Sequence, residues 1–272
     1  YLMGRLVLTG DNQFDATEFL YNHDTDYLLI DSTDIGKYGA FSSIGSDANF
    51  DRFSWVNTFL LDESQTQETQ NQTIFVYPGG GVLDEDLIIQ ENGKDVLLPN
   101  QKSGVGAIII PSATVGDTTE FMQPYAIMVY QGTQYEVNLR YLAVDNQLID
   151  FESGIEACAF VFPKLIVQNN QINQNPFGAI MYLSPRLMRG MLAQVYILND
   201  PFKKFTNFPL IHTQDSLVVE SLKQQGMPVQ DFIYYQGIQG PIKIWKVIYS
   251  GDEEKKQEYL DKSYAKYLDW KL

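Results

Sequence analysis

Four residues between positions 34 and 44 have the types and the spacing of a ligand-binding helix face. These residues are Asp34, Lys37, Phe41 and Ile44. At 100° per residue they lie within an arc of roughly 80°, so they share one side of a helix. The acid and the lysine form a polar end, and the two larger side chains form an apolar end. Such a face suits a ligand that carries both a polar group and a methyl group.

The same four residues also suit an ordinary surface helix. An acid in the first turn is stabilised by the helix dipole. Asp34 and Lys37 have the i, i+3 spacing of a surface ion pair. In this interpretation Phe41 and Ile44 only pack against the core. The residue types alone leave both interpretations open.

A short strand and a helix must position this face. Residues 26–31 are a brief apolar run between two acids, which predicts a buried strand. Residues 31–34, Asp-Ser-Thr-Asp, are rich in the types that cap helices. Residues 35–44 are therefore predicted to be helical, although Gly36 and Gly39 each weaken a helix by about 1 kcal/mol relative to alanine.

The middle of the chain has the pattern of a β-rich region. Short apolar segments recur between residues 73 and 167 and are separated by turn residues. Residues 135–141 alternate between apolar and polar types with the period of two that is typical of a half-buried strand. Gly79-Gly80-Gly81 is predicted to be a turn that ends a strand. The Asn/Gln-rich run over residues 169–175 is predicted to be a loop that leads out of this region.

Helical patterns return in the last third of the chain. Ser184 and Pro185 suit the N-cap and the first position of a helix. Residues 253–268 form a charged stretch that predicts a closing helix. The fold class predicted from these patterns is α+β, with a mixed α/β core and a β-rich, sandwich-like or barrel-like insertion. The predicted domains are a discontinuous core over residues 1–66 and 176–272 and an insertion over residues 67–175.

Composition excludes several classes of protein. With 34 acidic and 19 basic side chains the net charge is −15, and no basic cluster is present to bind a nucleic acid. The hydrophobic content of 44% excludes a disordered chain. A single cysteine, Cys158, excludes an internal disulfide and a cysteine-based zinc site. Only two histidines, His23 and His212, are available for a catalytic triad or a metal site.

Two further motifs have residue types that suit ion binding or covalent modification. Residues 84–86, Asp-Glu-Asp, follow the three glycines closely and would repel a phosphate, so a plain turn or a calcium-binding loop remains. The spacing does not match an EF-hand, which favours the plain turn. Residues 71–73, Asn-Gln-Thr, have the pattern of an N-glycosylation acceptor in an exposed polar loop.

Residues 34–45, Asp-Ile-Gly-Lys-Tyr-Gly-Ala-Phe-Ser-Ser-Ile-Gly, resemble a conserved helix of the oligosaccharyltransferase catalytic subunit in its archaeal and eukaryotic form. In that family, Asp-x-x-Lys is followed by an apolar residue four positions after the lysine and by Ile seven positions after it. Phe41 and Ile44 occupy those positions here. Residues 26–30 are similar to the strand before that helix, and residues 4–12 to the stretch just beyond the family's Trp-Trp-Asp-Tyr-Gly motif.

The resemblance implies a membrane enzyme that transfers an oligosaccharide from a dolichol-linked phosphate or pyrophosphate donor to an acceptor polypeptide. The acceptor is the Asn of an Asn-x-Ser/Thr sequon, and the cofactor is Mn²⁺ or Mg²⁺. The helix face of Asp34, Lys37, Phe41 and Ile44 would border the pocket for the sequon Ser/Thr, with Ile44 against the methyl group of Thr.

The resemblance also implies which parts of that enzyme lie outside this sequence. The family's catalytic acids and metal ligands lie in membrane-embedded loops, and the Trp-Trp-Asp-Tyr-Gly motif is absent here. We therefore expect no catalytic residue and no metal ligand in this chain. It begins at Tyr1 rather than at methionine, and we expect it to be the C-terminal domain cut from a membrane protein, on the extracytoplasmic side of the cell membrane.

The alternative is a non-enzymatic domain of the cell envelope that serves in binding or adhesion. The acidic, aromatic-rich composition of the predicted insertion and the lack of a self-contained catalytic cluster support this alternative. A soluble hydrolase is the third choice, because two histidines and scattered acids form no catalytic constellation.

Overall fold

The computed structural model describes residues 1–91, 93–115, 118–168 and 171–260. The fold is α+β, as the sequence predicts. The helices are α1 (Gln13–Asn22), α2 (Ser32–Gly45), α3 (Pro185–Arg189), α4 (Leu217–Gln224) and α5 (Gln257–Leu260), together with two π-helical segments, Met3–Leu8 and Leu192–Ile197.

Most of the strands follow one another between α2 and α3, and the others lie near the two ends of the chain. They are β1 (Tyr27–Ile30), β2 (Asn57–Leu60), β3 (Gln67–Glu68), β4 (Gln72–Val82), β5 (Leu87–Glu91), β6 (Lys94–Leu98), β7 (Gly104–Val115), β8 (Thr118–Phe121), β9 (Tyr125–Tyr130), β10 (Thr133–Val144), β11 (Gln147–Asp150), β12 (Ile155–Gln168), β13 (Gln171–Leu183), β14 (Leu210–Gln214), β15 (Ile233–Tyr234), β16 (Ile238–Gln239) and β17 (Ile242–Lys246).

The chain forms two compact units. The first unit contains Tyr1–Trp55, Arg189–Ser216 and the described residues from Pro241 onward, and the second contains Val56–Met188 and Leu217–Gly240. These bounds differ from those of the predicted domains because the hydrogen-bonded strands continue past the predicted boundaries. In the second unit, β2 pairs with β13 and β15 pairs with β12.

The first unit is built on a three-stranded antiparallel sheet in the order β1-β17-β14. One face of β1 and β17 is buried, with Leu28 and Trp245 directly opposite each other. Lys243 is also buried on this side, at 1% exposure, and its amine donates hydrogen bonds to the Tyr196 carbonyl at 3.0 Å and to Asn199 Oδ1 at 2.7 Å. A buried ammonium group needs such partners, because burial without them is costly.

The second unit is built on a twelve-stranded sheet, counted over the described residues. Its main path is β16-β15-β12-β10-β9-β7-β4-β3, with β13 beside β12, β2 beside β13, β11 beside β10 and β8 beside β7. Strands β10 and β12 run parallel, whereas β4, β7 and β9 pair antiparallel. A large apolar core lies against the sheet and includes Tyr77, Leu98, Ile108, Met128, Leu139 and Ile180.

The prediction that the three glycines form a turn was wrong, because Gly79, Gly80 and Gly81 lie within β4. The register between β4 and β7 shifts after Pro78, which leaves a β-bulge at the glycines. A Cβ atom on Gly79 would lie 2.3 Å from the ring of Phe59. Glycine is therefore required here by the close approach of a side chain, a long-range contact that the local sequence does not reveal.

Of the predictions for residues 169–268, some were confirmed and others were wrong. Ser184 does cap α3, since its Oγ accepts the Leu187 N–H at 3.2 Å. The loop predicted over residues 169–175 was wrong for residues 171–175, because β13 already begins at Gln171 and pairs there with Gln168. Of the predicted closing helix, α5 is the helical part within the described residues, and positions 261–268 lie outside them.

Candidate functional site

Helix α2 begins with a complete capping box. The Asp31 carboxylate accepts the Thr33 N–H at 2.7 Å, and the Asp34 carboxylate accepts the Asp31 N–H at 3.2 Å. These bonds satisfy backbone donors that the first turn of a helix leaves unpaired. The hydrogen bond from the Thr33 hydroxyl is the main reason that the pKa of Asp31 lies below its ordinary value. Asp34 therefore positions the helix.

The polar end of the predicted face is held by short contacts within the first turns of α2. The Lys37 amine donates to the Thr33 hydroxyl at 3.0 Å and lies 3.7 Å from Asp34 Oδ1. The Lys37 side chain is nevertheless 58% exposed. Because the side chain is exposed, its ammonium group is accessible to a polar ligand. An exposed ion pair of this kind contributes little to stability.

The apolar end of the face is open to solvent. Ile44 is 56% exposed, and Phe41 is half-buried. Ile35 and Tyr38, on the side of α2 next to Asp34 and Phe41, are buried in the first unit. The structure thus places Lys37 and Ile44 on the solvent side of the helix, with Phe41 between exposed and buried positions.

The C-terminal end of α2 packs against the start of the chain through two glycines. A Cβ atom on Gly4 would lie 2.6 Å from the Phe41 carbonyl oxygen, and one on Gly45 would lie 2.7 Å from the Arg5 nitrogen. Both distances are shorter than any normal contact, and the opposing atoms belong to the backbone. The first π-helical segment can therefore approach α2 this closely only because both positions are glycine.

Arg5 joins three parts of the first unit at this point. Its guanidinium group donates to the Gly45 carbonyl at 3.1 Å, which satisfies an acceptor at the end of α2. The same group makes a two-pronged ion pair with Asp51, with distances of 3.0 and 2.8 Å. It also lies over the Tyr1 ring, 5.9 Å from the ring centre. Tyr1 is consequently held at the end of α2 that carries Ile44.

The ion pair also changes the protonation of its acid. Burial raises the pKa of Asp51, but the hydrogen bond from Arg5, the N–H of Asp47 and the charges of Arg5 and Arg52 together outweigh burial. The pKa of Asp51 therefore lies below its ordinary value, and the pair stays charged at neutral pH. The loop after α2 is fixed to the first π-helical segment by this pair.

Sequence reasoning missed these contacts. Arg5, Gly4, Gly45 and Asp51 were not among the predicted site residues, because each acts through a partner about 40 positions away in the chain. Gly45, directly after the predicted helix, was the available signal, although glycine there also fits a simple helix end.

Two cavities are lined entirely by described residues, one within each unit. A polar cleft of about 840 Å³ in the second unit is lined by β2, by the glycines of β4 and by Lys164. A smaller cavity of about 230 Å³ in the first unit is lined mainly by acids of α1 and of the loop that holds Glu253. Neither cavity contains a residue of the predicted helix face.

The described residues contain no group of three or more His, Cys, Asp or Glu side chains arranged to hold a metal ion. The Mn²⁺ or Mg²⁺ ion that the family resemblance implies therefore finds no fitting site in the described part of the chain. No described helix has the length and apolar character required to cross a bilayer. The chain matches no family model, no curated protein and no solved structure.

Proposed function

We propose that this chain is the extracytoplasmic C-terminal domain of an archaeal-type oligosaccharyltransferase, an enzyme that transfers a lipid-linked oligosaccharide to Asn in Asn-x-Ser/Thr sequons. The observation that carries the proposal is the exposed side of α2. It runs from Lys37 to Ile44 and ends where Arg5 holds Tyr1. In the proposed enzyme, this face borders the pocket for the Ser or Thr of the sequon.

The chemistry of the exposed face supports binding of a hydroxyl amino acid. Ile44 offers an apolar wall to the methyl group of Thr, and burying one methyl contributes about 1 kcal/mol. Phe41, half-buried on the same side of the helix, adds a second apolar side chain. Lys37 offers a donor to a hydroxyl or carbonyl oxygen of the acceptor. Asp34 acts as a positioning residue through the capping box.

In this proposal the membrane part of the enzyme supplies the metal ion, the dolichol-linked oligosaccharide and the catalytic acids. The partner of the chain described here is the acceptor polypeptide. The role of the chain is to select the sequon and to hold it while the transfer takes place.

A binding or adhesion domain of the cell envelope is the second candidate. One face of the sheet of the first unit favours it, because Tyr27 and Leu29 of β1 are 56% and 55% exposed and the neighbouring Ile242 of β17 is 37% exposed. Apolar side chains grouped on an exposed sheet face are typical of interaction surfaces. No described contact favours a hydrolase.

Photo-crosslinking on the full-length polypeptide distinguishes the two candidates. With p-benzoylphenylalanine in place of Ile44, we expect a covalent adduct with an Asn-x-Thr peptide and less than a tenth as much with the matched Gln-x-Thr peptide. The control carries the same group in place of Leu217, which is 81% exposed on α4 of the second unit. Equal labelling of both peptides from position 44, or equal labelling from both positions, would contradict the proposed function.

A further inference from the structure

Asn71-Gln72-Thr73 is the single Asn-x-Ser/Thr sequence in this chain. It lies where the chain turns between β3 and β4 in the second unit. Asn71 and Gln72 are exposed. Within the described residues, the side-chain amide of Asn71 makes no hydrogen bond, whereas its carbonyl accepts the Thr114 N–H at 2.9 Å. The acceptor nitrogen of the motif is therefore accessible, and the backbone that carries it is fixed.

We propose that Asn71 is itself N-glycosylated, so that this domain is a substrate of the reaction in which it takes part. The inference rests on the proposed function, which places the chain on the side of the membrane where lipid-linked oligosaccharides are transferred. The Asn71 amide nitrogen would form a bond to the anomeric carbon of the first sugar. The bond from that carbon to the lipid phosphate oxygen breaks, the lipid phosphate leaves with the electron pair, and the amide proton is released to a base.

The folded turn resists entry into an acceptor site. The Thr69 N–H donates to the Gln72 carbonyl at 2.8 Å, and the Gln72 N–H donates to the Thr69 hydroxyl at 3.1 Å. Thr73 already belongs to β4, where it pairs with Glu68 of β3 and with Ser112 of β7. For the Thr73 hydroxyl to reach a sequon pocket, the start of β4 must leave the sheet. We therefore place the modification before β4 pairs with β7, on the newly exported chain.

The folded unit has room for the glycan once it is attached. The turn residues around Asn71 are exposed, and β3 is a two-residue strand at the end of the main path of the sheet. An exposed edge strand can pair with other chains unless it is covered. A glycan on Asn71 would be attached next to this edge, and we expect it to hinder such pairing.

Mass spectrometry of the protein isolated from the cells that naturally produce it tests the inference. Chymotryptic cleavage after Leu61 and Phe75 releases residues 62–75, which contain the motif. We expect this peptide to carry a glycan in most molecules. In variants made in the same cells, Thr73→Ser should retain the glycan at lower occupancy. Thr73→Val, which keeps a β-branched side chain on β4, should lose it.

A parallel readout separates the two proposals. Labelling intact cells with a membrane-impermeant amine reagent reports whether the chain is outside the membrane. A labelled chain with unmodified Asn71 would overturn the inference and leave the proposed function standing. A chain that is neither labelled nor glycosylated would overturn both.

A separate experiment tests whether Asn71 is modified before β4 pairs with β7. The folded, unglycosylated chain should gain less than a tenth of the natural occupancy when it is incubated with an active oligosaccharyltransferase and its lipid-linked donor. A synthetic peptide of residues 66–78 serves as the reference acceptor and should be modified readily. Equal rates for the folded chain and the peptide would contradict modification before folding.

Discussion

Replacing Gly45 with alanine is expected to lower the free energy of unfolding of the first unit by about 1–3 kcal/mol. The new Cβ atom would lie 2.7 Å from the Arg5 nitrogen and 2.8 Å from the Gly4 carbonyl carbon. Both are backbone atoms, so no side chain can rotate away to make room. Relief requires α2 and the first π-helical segment to separate, which would weaken the bond from Arg5 to the Gly45 carbonyl.

Gly36→Ala is the matched control, because Gly36 lies in the same helix and a Cβ atom there meets nothing within 4 Å. This substitution should raise the free energy of unfolding by up to about 1 kcal/mol, since alanine is the better helix former. Urea unfolding followed by circular dichroism measures both variants. If both substitutions stabilise the protein, the close packing of α2 against the chain start is wrong.

Under the proposed function, replacing Ile44 with aspartate should reduce kcat/KM of the full-length enzyme for an Asn-x-Thr acceptor about tenfold or more. The carboxylate would replace the apolar wall that the proposal assigns to the methyl group of Thr, and its desolvation would oppose binding. Because Ile44 is 56% exposed, the same substitution should change the free energy of unfolding by less than about 0.5 kcal/mol. A large functional effect with a small effect on stability distinguishes a binding residue from a core residue.

Leu217→Asp provides the control for added charge. Leu217 is 81% exposed on α4 in the second unit, so the variant receives the same new carboxylate on another exposed apolar position. Its kcat/KM should stay within about twofold of the unchanged enzyme. Comparable losses in both variants would indicate a general effect of negative charge, and the assignment of Ile44 to the pocket would then fail.

Local sequence signals were sufficient to predict the part of the candidate site that local interactions build. The apolar run before Asp31 and the capping residues after it predicted β1 and the start of α2, and both are present. The strand was predicted to be buried, but only Leu28 and Ile30 are, because the other side of β1 faces solvent. A capping box uses only residues three positions apart, so its signal lies within one turn of chain. The spacing of Lys37 and Ile44 likewise predicted a shared helix face.

The other contacts of the candidate site, and the strand order of the sheets, depend on residues that are far apart in the sequence. The approach of Gly4 to Gly45 and the pairing of Arg5 with Asp51 arise only when the chain start folds against α2. Strand partners are equally non-local. Residues 56–66 belong to the second unit, where β2 pairs with β13. The sequence of residues 56–66 does not indicate that β13 is the partner strand.

The central claim is that Ile44 contacts the methyl group of the acceptor Thr. Its most direct test is the ratio of kcat/KM for two acceptor peptides that differ only in Thr against Ser at the sequon. We expect the full-length enzyme to prefer Thr by about fivefold, the equivalent of one buried methyl group, and the Ile44→Ala enzyme to lose most of that preference. An Ile44→Ala enzyme that keeps both the Thr preference and its affinity for the acceptor would contradict the claim.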